Sequence, residues 1–261
     1  MPAIEADAAD LALLIEAAEE AGGIALRYAR RGFRTTWKPD DSPVTEADMA
    51  VDAHLRARLL AARPGYGWLS EETPDGPERL AARRVFVVDP IDGTRAYAEG
   101  AKDWAHSLAV VEDGVPVAAV VLLPMHGRLY AAARGGGAAL NGAPIRASRR
   151  EEVAGAAVLA AKPALAPHHW TGGALPPFRR TFRSSLAYRL ARVAEGADDA
   201  MLTLRPVWEW DVAAGALLVT EAGGAATDRR GAPARFNAAH PQLDGMVAGG
   251  AVQSPLRALL A

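Results

Sequence analysis

Cysteine is absent from the 261 residues of this chain. Neither a disulfide framework nor a thiolate metal site can therefore form. The chain also has no large excess of charge of either sign, because the formal net charge is −2 and the sequence pI is about 6.3. Such a balance gives the chain no general attraction to nucleic acid or to an anionic membrane surface. A local group of positive charges can still bind a phosphate group in a chain whose net charge is slightly negative.

Long apolar runs are also missing. The longest, Val115–Leu123, contains Pro116 and falls short of the roughly 20 apolar residues that a membrane-spanning helix requires. The N-terminal segment is acidic and interrupted by charges, whereas a signal peptide has a basic start and an unbroken apolar stretch. Together with the lack of cysteine, these features predict a cytoplasmic protein that does not span a membrane.

Hydrophobic residues make up 50% of the sequence, enough to form the core of one large domain or two smaller ones. Apolar periodicity predicts where helices and strands lie. Gly22-Gly23 could interrupt the first helix. Thr45 could cap the second helix, with Asp48 reaching back to it, and Asp113-Gly114 is typical of a hairpin turn. The predicted helices cover residues 4–30, a segment from Thr45 to Arg63, residues 185–195 and residues 211–222. The predicted strands cover residues 85–88, 105–111, 115–123, 128–133 and 158–161.

Two domains are predicted from a change in composition at residues 147–152. The N-terminal part, residues 1–148, is predicted to be an α+β domain that carries most of the candidate metal ligands. The C-terminal part, residues 149–261, alternates strand-like and helix-like segments, which indicates an α/β domain.

The segment Asp89-Pro90-Ile91-Asp92-Gly93-Thr94 carries the strongest chemical signal. It follows an apolar strand, and α/β sheets place ligands at the carboxyl ends of strands. Gly93 allows a tight turn and a close approach of the backbone to a ligand. A helix that begins near Thr94 would direct its free N–H groups to the same point, where phosphate oxygens bind. The segment therefore predicts a site in which the carboxylates of Asp89 and Asp92 hold cations and nearby backbone N–H groups hold an anion. The alternative is a turn whose two aspartates are solvated.

Two other acidic elements could complete such a site. Glu71 and Glu72 follow a short apolar segment, so one of them can point into a cleft, although paired glutamates are more often solvated. Asp211 lies at the predicted start of an apolar helix, where an N-cap role would explain it equally well. The residues alone leave these alternatives open.

Taken together, the motifs resemble the inositol monophosphatase superfamily of magnesium-dependent, lithium-sensitive phosphatases. The resemblance covers nearly the whole chain and implies an α/β fold of alternating α-β-α-β-α layers. The segments that carry it are Pro43-Val44-Thr45-Glu46-Ala47-Asp48, Glu71-Glu72, Asp89-Pro90-Ile91-Asp92-Gly93-Thr94 and Trp210-Asp211-Val212-Ala213-Ala214-Gly215.

The resemblance also implies a role for each matching residue. Two or three magnesium ions per site are expected, since hard oxygen ligands suit magnesium and not zinc. Thr94, oriented by Asp48, and Glu71 would position a water for attack on phosphorus. The N–H groups of Gly93 and Thr94 would hold phosphate oxygens. The implied metal ligands are Glu71, Asp89 and the Ile91 carbonyl for the first ion, and Asp89, Asp92 and Asp211 for the second.

The expected partner is a small phosphate ester. The chain most resembles the bacterial nucleotidases that remove the 3'-phosphate of 3'-phosphoadenosine 5'-phosphate, so this compound is the favoured substrate. Inositol 1-phosphate and histidinol phosphate are the alternatives. Residues 201–208 contain no acid, whereas several inositol-specific members place a glutamate in that region. Candidate specificity residues are Ser185, Arg205, which could hold a second phosphate, and Trp208, which could stack on a base.

Other features favour no function of their own. His168 and His169 are predicted to be solvated, and the basic run at residues 178–183 is read as a solvated strand in preference to a nucleic-acid patch. A non-catalytic protein that binds phosphorylated ligands is the alternative of another class, and a homodimer is compatible with the sequence. A phosphatase with an aspartate nucleophile is disfavoured, because its Asp-x-Asp spacing is absent around Asp89.

Overall fold

The computed structural model describes residues 2–39 and 41–261, so Met1 and Asp40, the latter in the predicted loop at residues 38–43, lie outside the described residues. Helices and strands of the described part alternate along the chain. The helices are α1 Pro2–Arg31, α2 Glu46–Ala62, α3 Thr94–Ala98, α4 Leu186–Ala194, α5 Glu209–Glu221 and α6 Gln253–Arg257. The strands are β1 Thr35–Trp37, β2 Pro43–Thr45, β3 Gly67–Ser70, β4 Arg84–Asp92, β5 Ala105–Glu112, β6 Val115–Leu123, β7 Arg128–Ala133, β8 Gly137–Leu140, β9 Ala143–Pro144, β10 Ala157–Ala160, β11 Arg179–Thr181, β12 Ala200–Thr203, β13 Val207–Trp208, β14 Ala225–Thr227, β15 Gln242–Leu243 and β16 Met246–Gly249.

The larger sheet has seven strands in the order β3 to β9. β3 is parallel to β4, and the strands from β4 to β9 form an antiparallel meander. Val85 and Val87 of β4 join one hydrophobic cluster, whereas Phe86 and Val88 join another. Because successive side chains of a strand point to opposite faces, both faces of this sheet are buried. A helical layer must therefore cover each face.

Helices α1 and α2 cover one face of this sheet, and α1 is one continuous helix from Pro2 to Arg31. The interruption that Gly22-Gly23 could have caused is therefore absent. A Cβ atom on Gly22 would lie 3.1 Å from Cδ2 of Leu122 on β6. The glycine lets the helix pack closely on the sheet, so its lower helix propensity is offset by packing.

Helices α4 and α5 lie between the two sheets, and α5 contacts β5 and β6 on one side and β14 and β16 on the other. The second sheet has five strands in the order β11-β10-β12-β16-β14. Its far face packs against Trp170 and against Leu256 of α6. The predicted order of α-β-α-β-α layers is therefore confirmed, while the domain boundary at residue 148 stays a prediction.

Two local predictions rest on backbone chemistry and are confirmed. Asp113 and Gly114 join β5 to β6 with φ values of 49° and 82°, the left-handed conformations that an Asp-Gly hairpin turn requires. Thr45 caps α2, and its hydroxyl accepts from the N–H of Asp48 while the Asp48 carboxylate accepts from the N–H of Thr45. None of the described helices combines the length and the hydropathy of a membrane-spanning segment.

Candidate active site

Three aspartates from distant parts of the chain meet at one point. Asp89 and Asp92 end strand β4, and Asp211 lies in the first turn of α5. One carboxylate oxygen from each aspartate lies within 4.8 Å of those of the other two. This is the one group of metal-ligating side chains of this kind found in residues 2–39 and 41–261. Helix α5 begins at Glu209, so Asp211 occupies the third helical position and the alternative of an N-cap is wrong.

The electrostatics of the three aspartates fit a divalent cation. Burial, followed by repulsion from Glu71 and the other two aspartates, raises the pKa of Asp89 well above its usual range. Burial and then Asp92 raise the pKa of Asp211 in the same way. Oδ1 of Asp89 is buried and has no hydrogen-bond partner among the described residues. Because unpaired buried carboxylates are strongly unfavourable, these oxygens suit a hard cation such as magnesium.

Helix α4 holds Asp92 in place. One oxygen of Asp92 accepts from the Ser185 hydroxyl at 2.6 Å and from the Ala187 N–H at 2.6 Å. Burial raises the pKa of Asp92 to about 6, although these two hydrogen bonds oppose the rise. Ser185 is fully buried as the N-cap of α4, so it orients a predicted metal ligand. A direct contact of Ser185 with substrate stays a prediction.

Thr94 and Asp48 form a second arrangement beside the aspartates. The Thr94 hydroxyl lies 2.9 Å from a carboxylate oxygen of Asp48 and 2.9 Å from the Ile91 carbonyl. A hydroxyl carries one hydrogen, so it donates to one of these acceptors at a time. Burial raises the pKa of Asp48, against the hydrogen bonds from Thr45 and Thr94. Asp48 is therefore a stronger base than an exposed aspartate.

Gly93 connects β4 to α3 in a left-handed conformation, with φ of 96°. A Cβ atom at this position would lie 3.2 Å from the Asp103 carbonyl oxygen. The turn therefore requires glycine for both conformation and space. Helix α3 begins at Thr94, as predicted, and the first N–H groups of any helix lack an acceptor within it.

Glu71 does not join the aspartate cluster. It follows β3, and its carboxylate forms an ion pair with Nζ of Lys38 at 2.8 Å. The same ammonium group pairs with Glu72 at 2.8 Å. Burial and the charge of Glu71 raise the pKa of Glu72 to about 7. The charge of Glu71 also raises the pKa of Asp89, so it acts on the cluster electrostatically.

The candidate specificity residues lie near the start of α5. Arg205 is exposed between β12 and β13, and its positive charge opposes the rise in the pKa of Asp211. Trp208 is 37% exposed and stacks on Trp210, with ring centroids 4.7 Å apart and planes at 8°. The His240 ring packs against Trp208, with the two ring centroids 5.7 Å apart. The roles of Arg205 and Trp208 toward substrate stay predictions.

Sequence reasoning gave no role to Lys38 or His106. His106 is fully buried on β5, its Nδ1 donates to the Pro90 carbonyl, and burial lowers its pKa to about 4. Neither residue belongs to a motif, and only tertiary contacts bring them to the site. His168 and His169 are outside the aspartate cluster, in a short helical turn, and Arg179–Thr181 form an edge strand as predicted.

The layered fold, with three aspartates gathered at the end of a strand and in the first turn of a helix, is typical of metal-dependent phosphatases. The chain belongs to the inositol monophosphatase family, whose model matches residues 8–260. Members of this family are phosphatases, and this protein is accordingly a phosphoric monoester hydrolase. This match confirms the resemblance, while the roles that it implies for individual residues stay predictions.

Individual relatives differ in the substrate that their names imply. The histidinol-phosphatase of Mycobacterium tuberculosis is 36% identical and aligns with 85% of this chain and 88% of its own length. The 3'(2'),5'-bisphosphate nucleotidase CysQ of Aggregatibacter actinomycetemcomitans is 30% identical over 86% of both chains. The crystal structure of the extragenic suppressor protein suhB from Bartonella henselae has a TM-score of 0.80, with 28% identity over 96% of this chain and 97% of that one.

Proposed function

We propose that the protein hydrolyses a small phosphate monoester with magnesium held by Asp89, Asp92 and Asp211. The observation that carries this proposal is the approach of carboxylate oxygens to within 4.8 Å, from the buried Asp89 and Asp92 and the half-buried Asp211, with an unpaired oxygen on Asp89. Glu71 and the Ile91 carbonyl would complete the ligands of two or three ions. When bound, magnesium offsets the negative charge of the phosphate and lowers the pKa of a water.

Thr94 and Asp48 supply the base for this reaction. When the Thr94 hydroxyl donates to Asp48, its lone pairs are available to accept a hydrogen bond from the attacking water. The raised pKa of Asp48 makes it a suitable final acceptor for that proton. Gly93 and Thr94, at the start of α3, would bind phosphate oxygens through their N–H groups.

For the substrate we favour 3'-phosphoadenosine 5'-phosphate. Two observations support this choice. Arg205 is exposed and close enough to influence Asp211 electrostatically, so it is available for a second phosphate. The Trp208 ring is backed by Trp210 on one side and partly exposed, as a platform for a purine base would be.

Histidinol phosphate is the second candidate. The identity of 36% to a histidinol-phosphatase over most of both chains supports it. The aromatic platform at Trp208 also suits its imidazole ring, but histidinol phosphate has no second phosphate for Arg205. Inositol 1-phosphate has neither an aromatic ring nor a second anionic group.

Phosphate release with magnesium tests the proposal. A chromogenic ester is assayed first with magnesium, with chelator and with lithium. The specificity constants for 3'-phosphoadenosine 5'-phosphate, histidinol phosphate, inositol 1-phosphate and fructose 1,6-bisphosphate are then compared. Release that requires magnesium supports the proposal, and its absence with every ester would favour a non-catalytic binding protein. The cytoplasmic location and a homodimer stay predictions.

A further inference from the structure

The first residue of helix α5, Glu209, is held by a loop and not by a helix cap. The N-cap residue makes no capping hydrogen bond within the described ranges. The N–H of Glu209 donates instead to the Pro241 carbonyl at 3.0 Å. The Glu209 carboxylate is fully buried and accepts from the N–H groups of Asn237 at 2.5 Å and Ala238 at 2.9 Å. Because a buried carboxylate requires such donors, this loop fixes where α5 begins.

Arg79 holds the same loop from its other side. This arginine is buried, with 3% of the residue exposed. One terminal nitrogen, Nη1, donates to Oδ1 of Asn237 at 2.6 Å, and the other, Nη2, donates to the Ala238 carbonyl at 2.9 Å. Asn237 therefore contacts Glu209 through its backbone N–H and Arg79 through its side chain. We call Arg79, Asn237 and Glu209 the bridge.

The bridge continues to the segment that follows Glu71. Nε and Nη2 of Arg79 donate to the two carboxylate oxygens of Asp75 at 2.6 Å and 2.8 Å, which is a bidentate ion pair. Earlier in the segment, the Thr73 hydroxyl donates to the carboxylate of Asp52 on α2 at 2.5 Å. The segment is therefore fixed by α2 on one side and by Arg79 on the other.

We propose that the bridge positions the two ends of the magnesium site relative to each other. One end is Asp211, which follows Glu209 by two residues in the first turn of α5. The other end is Glu71, which begins the segment that Arg79 holds. This inference rests on the proposed function, and the members of the bridge are positioning residues and not ligands. Carboxylates that are already in place lose less entropy when an ion binds, so the bridge should raise the affinity for magnesium.

Two competing explanations give different results. If the bridge only stabilises the fold, its loss lowers Tm and leaves the affinity for magnesium unchanged. If its charges act directly on the site, Arg79→Met removes a positive charge and should strengthen magnesium binding. The bridge predicts weaker binding in Arg79→Met. It predicts the same in Asn237→Gly, which changes no charge and suits the left-handed backbone at this position, where φ is 63°.

Calorimetric titration of the whole protein with magnesium chloride measures the affinity without turnover. Arg79→Met and Asn237→Gly should each weaken binding by about threefold to tenfold, which is less than the loss of a direct hydrogen-bond partner of a ligand. The matched control is Glu195→Gln, which breaks an ion pair with Arg128 at the C-cap of α4 and should bind as wild type does. Asn237→Gly removes no buried charge, so it decides the question even if Arg79→Met does not fold.

Hydrogen exchange of the Asn237 and Ala238 amides supplies a readout that needs no magnesium. Both N–H groups donate to Glu209, so they should be protected in the metal-free wild-type protein. Arg79→Met should exchange both amides about tenfold faster or more, because the loop is then held from one side only. Glu195→Gln should leave their exchange unchanged.

Turnover separates the bridge from the ligands themselves. With saturating magnesium, kcat of Asn237→Gly for a chromogenic ester should return to within about threefold of wild type, since every predicted ligand is intact. Tighter magnesium binding in Arg79→Met, or wild-type affinity in Asn237→Gly, would overturn the bridge while wild-type binding and turnover remain. If the wild-type protein neither binds magnesium nor releases phosphate, the proposed function itself is wrong, which is a distinguishable outcome.

Discussion

The Thr94 hydroxyl lies 2.9 Å from the Asp48 carboxylate, although 46 residues separate them in sequence. Asp48 lies in the first turn of α2 and is fixed by its capping interaction with Thr45. Thr94 begins α3 directly after the glycine turn. The two helix starts therefore place a hydroxyl and a buried carboxylate beside the aspartate cluster, which is the arrangement that activation of a water requires.

Removal of the Thr94 hydroxyl should slow the chemical step. Thr94→Val has a similar shape but no hydroxyl, so kcat for a chromogenic ester should fall by about 10²–10⁴. KM and the increase in Tm caused by magnesium should change little, because the predicted metal ligands are intact. Thr94→Ser should retain most of the activity, and Thr171→Val, at an exposed threonine, serves as the control. Near wild-type turnover in Thr94→Val would remove this residue from the mechanism.

Lys38 should compete with magnesium for Glu71. Its ammonium group binds Glu71 and Glu72 at 2.8 Å each, so a cation at Glu71 must displace it. Lys38→Met leaves two neighbouring carboxylates without a counter-charge, and half-saturation of activity by magnesium should shift to a concentration several-fold lower. Lys162→Met, at a lysine outside the site, is the control. An unchanged or weaker magnesium requirement in Lys38→Met would contradict the competition.

His106 should make the metal-free protein less stable in acid. Burial lowers its pKa from 6.5 to about 4 in the folded state, so between these pH values the unfolded chain binds a proton that the folded protein does not. The contribution of His106 to stability is therefore lost as the pH falls, by about 2–3 kcal/mol between pH 7 and pH 4.5, while the aspartates with raised pKa values contribute in the opposite direction. Urea unfolding at both pH values measures the difference.

The matched variant for this effect is His106→Asn, which keeps a donor toward the Pro90 carbonyl but does not titrate. Its loss of stability between the two pH values should be smaller than that of wild type by about the same 2–3 kcal/mol. His168→Asn, at an exposed histidine, should behave as wild type. Equal pH dependence in wild type and His106→Asn would show that His106 does not titrate as described.

Local chemistry explains which parts of the fold the sequence predicts. The Asp-Gly turn at Asp113-Gly114 and the capping box at Thr45 depend on neighbouring residues alone, and both are found. The sequence predicts the start of α5 two residues late, because its N-cap residue is Trp208, which makes no capping hydrogen bond. Without such a bond, the sequence carries no signal for where the helix begins.

The candidate site is only partly predictable for a different reason. Asp89 and Asp92 belong to one segment, so their proximity follows from the chain itself. The ion pair of Lys38 with Glu71 and the hydrogen bond of Arg79 with Asn237 depend on how loops and helices pack. No spacing in the sequence reveals contacts of that kind.

Magnesium binding measured by calorimetry on wild type and Asp211→Asn tests the central claim most directly. Asp244→Asn, at an exposed aspartate paired with Arg230, is the matched control. Wild type and control should bind magnesium and release phosphate from an ester. Asp211→Asn should bind at least tenfold more weakly or lose one ion, with little turnover, because a charged ligand is gone. Wild-type binding and turnover in Asp211→Asn would contradict a magnesium site at Asp89, Asp92 and Asp211.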